Sequence, residues 1–181
     1  MNVPLTDVNG VQGTESFFGF GNAFSPAAPF GASAAASEPQ SLYQGEDGSL
    51  TVEAIIKSNT ITSSYQMIFT RENGGELDNR SFQFRITPNG ELHYEGLGSG
   101  NGLFAIPTTG QDAFRPGSWY HVAVANDAGT STGRLYWTRL APDVTNANEL
   151  GSFEFIGITV RIWGIRQWES NGAATRMCLM A

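Results

Sequence analysis

The chain has 181 residues, 40% of them hydrophobic and only 15% charged, with 22 glycines and 8 prolines. The charged share lies well below the ~25% of an average soluble domain, and with so many turn formers it excludes a coiled coil or helix bundle; no run of about 18 apolar residues offers a membrane-spanning helix, so membrane insertion is not expected. The net charge is −7, with Lys57 the single lysine among ten bases, so no basic face exists to bind phosphates and nucleic acid is not an expected partner.

The acidity is uneven. Residues 1–56 hold six acids and no base, whereas from Lys57 onward eleven acids face ten bases. Residues 1–47 are read as an irregular Gly/Ala/Phe-rich arm, because glycines and prolines interrupt its alanines and deny it a helix. Its five phenylalanines argue for an arm that covers a surface. The first ten residues carry neither a base nor a continuous apolar run, so no signal peptide is read. Cys178 is the single cysteine, which excludes an internal disulfide and a multi-cysteine zinc site.

A second unit, 48–181, begins where the pattern turns to short alternating segments. Leu50, Val52, Ala54 and Ile56 face one way and Thr51, Glu53 and Lys57 the other, the period of a half-buried strand. Tyr65–Arg71 is a second strand. Phe82, Phe84 and Ile86 alternate with Gln83 and Arg85, then Pro88-Asn89-Gly90 leads to Leu92 and Tyr94: a β-hairpin, in which Asn-Gly supplies the positive φ angles of the turn. Gly96–Gly102 reads as a glycine-rich loop. Further strands are expected at Leu103–Ile106, Trp119–Ala125, Arg134–Leu140, Phe153–Ile156 and Ile158–Ile165. Turn signals every 8–15 residues without a helical period indicate an all-β antiparallel sandwich.

In this order the segments Leu50–Lys57, Met67–Arg71, Phe82–Leu92, Pro116–Val124 and Gly133–Tyr136 resemble the laminin G-like group of the concanavalin A-like lectin/glucanase superfamily, in the form common in bacterial surface proteins. The resemblance covers about residues 49–140. It implies a jelly-roll of two curved antiparallel sheets, extracellular or on the cell surface, that binds glycans or proteins. Val160–Gly164 is similar to the family's closing strand, but the connection leading to it is short, and a missing strand would leave an edge open to pairing with another chain.

Several residues carry candidate chemistry. Glu91 and Glu95 flank His93 on one strand face. Such a stripe can bind a divalent cation or raise the histidine pKa through nearby negative charge, and the plainer reading is a solvent-facing polar side. Glu46-Asp47-Gly48, Glu72–Asp78 and Asn126-Asp127 are oxygen-rich loops of the kind that supply calcium's six to eight ligands. No calcium-loop motif is present; the resemblance leaves calcium open, with Asp47, Asp78 and Asp127 as its ligands, and no other cofactor is expected. Trp119 and Trp137 are expected in the core. Trp163, which alternates away from Val160 and Ile162, and Trp168 are with His93 the candidate ligand-binding residues, since aromatic faces cover the apolar sides of sugar rings.

Retaining glycosidases of the glucanase branch need two carboxylates about 5–5.5 Å apart. The nearest stretch, Glu76–Asp78, lacks the third acid of such a strand, and no serine elbow accompanies His121. No catalytic residue is assigned. The expected function is therefore non-enzymatic: an extracellular binding or adhesion module for glycan or protein. One alternative is a structural subunit of a self-assembling surface layer or filament, a homo-oligomer in which the arm or an edge strand pairs with a neighbour. The other is a glycoside hydrolase.

Overall fold

An alternating strand gives a sheet one dry face and one wet one, and two such sheets bury their dry faces against each other. In a computed structural model of the chain, residues 5–8, 10–14, 23–26, 33–36, 49–72, 80–96, 100–155 and 175–177 are described. They form strands β1 (Leu5–Val8), β2 (Gly10–Thr14), β3 (Ala23–Pro26), β4 (Ser33–Ala36), β5 (Leu50–Lys57), β6 (Gln66–Glu72), β7 (Arg80–Ile86), β8 (Glu91–Gly96), β9 (Gly100–Ala105), β10 (Trp119–Asp127), β11 (Thr132–Arg139), β12 (Glu149–Glu154) and β13 (Thr175–Met177). Among the described residues there is no helix, and so none long and apolar enough to cross a membrane.

One sheet runs β1-β4-β13-β6-β7-β8-β9 and faces a second, β12-β11-β10-β5; β2 and β3 pair separately. All pairings are antiparallel, so the chain is an all-β sandwich of the jelly-roll kind. In the arm expected to be irregular, β1 pairs with β4, which reaches β6 through β13. Strands of four or five residues are too short to announce a period in the sequence. The closing segment expected at Ile158–Ile165 lies outside the described residues.

The core lies where the alternation puts it. Ile68, Phe84, Ile86, Leu92 and Tyr94 from one sheet meet Ile56, Tyr120, Val122, Val124, Leu135 and Trp137 from the other, all fully buried. Each such side chain contributes about 1.5–3 kcal/mol by leaving water. Tyr120 and Trp137 stack with centroids 4.4 Å apart, and their polar atoms fasten the loop between β9 and β10. The Tyr120 hydroxyl donates to the Ala113 carbonyl (2.8 Å) and accepts from the Arg115 amide (2.7 Å). Trp137 Nε1 donates to the Asp112 carbonyl (3.0 Å), while the Asp112 carboxylate accepts from the Arg139 amide (2.9 Å).

The β7–β8 turn differs from expectation in detail. The Gly90 amide donates to the Thr87 carbonyl (3.0 Å), and only Gly90 takes a positive φ, 76°. Pro88 fixes its own φ at about −65°, which rules out a turn with two left-handed residues and leaves a type I turn closed by a glycine. The glycine-rich loop is also shorter than expected. Gly100–Gly102 belongs to β9, and a β-carbon on Gly102 or Gly133 would overlap the Phe153 ring, so glycine there makes room for an aromatic side chain. Phe153 belongs to β12, which begins at Glu149 instead of Phe153. Its Gly151 and Ser152 have poor strand propensity, which hid it. A bridge from Gly100 to Phe155 links the β9 side of the larger sheet to the end of β12.

Two substitutions test this packing. Gly133→Ala is expected to cost about 1–3 kcal/mol in chemical denaturation through overpacking, and Phe153→Leu in the same chain is expected to recover part of that loss. Asn126 is only 3% exposed, and neither end of its carboxamide has a hydrogen-bond partner. An unsatisfied buried amide costs about 1–3 kcal/mol, so Asn126→Val is expected to raise the thermal midpoint by about 2–4 °C per kcal/mol gained.

Candidate functional site

The register that buries Phe84 and Leu92 turns their neighbours outward. Arg85 stands opposite His93, which stands opposite Leu103; Gln83, Glu95 and Asn101 form the adjoining row. Arg85 is the hub of this outer face. Its Nε donates to His93 Nδ1 (3.2 Å), its Nη1 donates to Gln83 Oε1, and its Nη2 donates to Glu95 Oε2 (2.7 Å). The guanidinium also lies 4.4 Å from the centroid of the Tyr65 ring, a cation–π stack. Tyr65, on the β5–β6 connection, is 57% exposed, and Leu103 is 47% exposed. Burial differs sharply across the cluster: the Arg85 side chain is 12% exposed and that of Glu95 44%.

His93 is the candidate that this arrangement redefines. It is 9% exposed and does not face solvent as a free polar stripe. Because Nδ1 accepts from Arg85, the ring proton sits on Nε2, which donates to Asn101 Oδ1 (2.8 Å). A raised pKa was one of the readings open to a histidine between two glutamates. Instead it lies below 6.5, chiefly because burial disfavours the charged ring; Arg85 adds to this, against the Asn101 bond, Glu95 and Glu91. Both ring nitrogens are engaged, and Glu91 accepts a bond from the Thr87 hydroxyl (2.8 Å). Among the described residues no three His, Cys, Asp or Glu side chains gather as a metal site.

Asp127 closes the β10–β11 turn. Its Oδ1 accepts from the amides of Gly129 (2.9 Å) and Thr130 (3.3 Å), and its Oδ2 from the Thr130 hydroxyl (2.7 Å). The Thr130 hydroxyl bond leads the causes that lower its pKa below 3.8. Asp47, Asp78, Trp163 and Trp168, the other candidate residues, lie outside the described residues. Trp137 is in the core as expected, but Trp119 is not. Tyr120, Val122 and Val124 take the inner face of β10, and Trp119 points outward with its ring 5.5 Å from Lys57 Nζ, near the His121–Glu53 pair at 3.1 Å.

Arg85 and Asn101, the partners of His93, and Tyr65 and Gln83, the further partners of Arg85, were not among the expected site residues. A usable signal existed for Arg85: with a three-residue loop centred on Asn89, it must stand opposite His93.

The laminin G-type model of the concanavalin A-like lectin/glucanases superfamily matches residues 30–137, from before β4 to the end of the β11 core residues. No curated protein matches the chain significantly. A crystal structure of a "putative carbohydrate binding protein" from Bacteroides ovatus ATCC 8483 is similar to 91% of this chain at 17% identity, with a TM-score of 0.39. The chain spans 46% of that protein's length.

The neutral His93 makes stability depend on pH in a defined direction. Its folded pKa is lowered from 6.5, so the unfolded chain binds the proton more readily; stability is full above the unfolded value and falls as pH drops below it. Denaturation midpoints followed from about pH 8 to about pH 5 are expected to decline through that window, and the decline is expected to flatten in His93→Gln. The Asp127 contribution falls in a separate, more acidic window, below 3.8.

Proposed function

Because this chain belongs to the concanavalin A-like lectin/glucanases superfamily, we propose that it is an extracellular, non-enzymatic carbohydrate-binding module whose ligand site is the outer face of β7, β8 and β9. Fold alone does not select a ligand. The observation that carries the reading is the Tyr65 ring, 57% exposed and stacked on Arg85, beside a row of fixed polar groups. Sugar recognition combines an aromatic surface for the apolar side of a pyranose with hydrogen-bonding groups for its hydroxyls. Both are supplied here, by Tyr65 and by Glu95 and Asn101. The carboxylate of this row, Glu95, is tied to Arg85 at 2.7 Å, an arrangement suited to accepting a hydroxyl hydrogen bond.

The test is a glycan array followed by titration calorimetry on the best binder. The chain is expected to bind, and Tyr65→Ala to weaken that binding about tenfold, the equivalent of ~1.4 kcal/mol. Because Tyr65 lies exposed on a connection and loses only a cation–π contact of about 0.5–1 kcal/mol, the variant is expected to unfold within about 4 °C of the wild-type midpoint. An array without a hit, or a Tyr65→Ala chain that binds as tightly as the wild type, overturns the proposal.

A further inference from the structure

We infer that the outer-face site takes an uncharged sugar through adjacent hydroxyls held by Glu95 and Asn101, and discriminates against uronic and sulfated sugars; this rests on the carbohydrate-binding reading above. Few groups of this face remain able to touch a ligand. Arg85 is the usual partner for a carboxylate or sulfate, but here Nε, Nη1 and Nη2 point at His93, Gln83 and Glu95, and the flat face lies on Tyr65. Three of its five N–H groups are used in this way, and the side chain is only 12% exposed, which leaves little of it for a ligand. His93 has both nitrogens bonded, to Arg85 and to Asn101, and is buried.

What remains outward is an acceptor beside a donor. Glu95 meets Arg85 through Oε2, which leaves Oε1 for a ligand hydroxyl. Asn101 receives the His93 proton on Oδ1, so the Arg85–His93 chain fixes which end of the carboxamide faces out: the NH2 group, a donor. Glu95 and Asn101 are direct cross-strand partners, which places their β-carbons about 4.5–5.5 Å apart. A hydroxyl that donates to Glu95 and a neighbouring one that accepts from Asn101 satisfy both, with the ring lying toward Tyr65. Leu103, next to this pair on β9, adds a second apolar surface.

The same groups reject anions. A sugar carboxylate or sulfate set at this pair would face Glu95, with Glu91 on the same strand, while Arg85 is largely buried and ion-paired with Glu95 at 2.7 Å. The net charge of −7 adds a long-range field that keeps anionic polymers away at low salt.

The experiment uses an array that prints each glycan beside its C6-uronate and its sulfate ester, with affinities then measured by calorimetry. The neutral member is expected to bind at least about tenfold more tightly than its acidic counterparts, and Glu95→Gln to narrow that ratio to about threefold or less. Should Glu95→Gln fail to fold, Asn101→Ala serves: the neutral ligand is expected to lose about tenfold. Acidic sugars that bind equally or better, a ratio unmoved by Glu95→Gln, or full affinity in Asn101→Ala each overturn the inference while leaving the carbohydrate site standing. Binding of no glycan at all overturns the site itself.

Discussion

Pro88 holds its φ at about −65° while Gly90 takes 76°, and between them they close a three-residue loop that sets Ile86 opposite Leu92. Both faces of the larger sheet hang on that register. A slip of β7 by one residue against β8 would turn Phe84 and Ile86 to water and Arg85 into the core. These two apolar side chains would then forfeit about 1.5–3 kcal/mol each, and a guanidinium would be buried without the partners that now surround it. The inner and outer faces are thus one decision, taken at the turn.

On the outer face that decision produces a cluster in which every group is oriented by another. Arg85 fixes the tautomer of His93, His93 fixes the carboxamide of Asn101, and Tyr65 caps the guanidinium. Partly buried polar networks of this kind hold one geometry because each alternative leaves a donor or acceptor unmet. The low charge of the composition is consistent with it: a cation that serves three acceptors at once lets a few charged residues order a whole surface.

The strands with strong alternation, β5, β7, β8, β10 and β11, were legible in the sequence, as was the resemblance that covers them. What stayed hidden had physical reasons. β12 and the start of β9 contain glycine because Phe104 and Phe153 pack where side chains would stand, and a glycine chosen for close approach reads like one chosen for a loop. Trp119 was expected in the core because its segment resembles the family's core strand, whereas the parity of Tyr120, Val122 and Val124 governs β10. His93 read as a solvent-facing residue since its burial depends on Arg85 and Asn101, which lie on two other strands. Its direction of titration followed from the same contacts, with desolvation outweighing the two nearby glutamates.

The Tyr120–Trp137 stack has one more consequence. Two aromatic rings held 4.4 Å apart at an interplanar angle of 29°, in a fully buried site, form a chiral chromophore pair. Near-ultraviolet circular dichroism from such a pair disappears when side-chain packing loosens, even if strands persist. The hydroxyl of one ring and the indole nitrogen of the other also hold the β9–β10 loop. The contribution of this pair to the near-ultraviolet signal therefore couples the tightness of the core to the closure of that loop, without any label added to the chain.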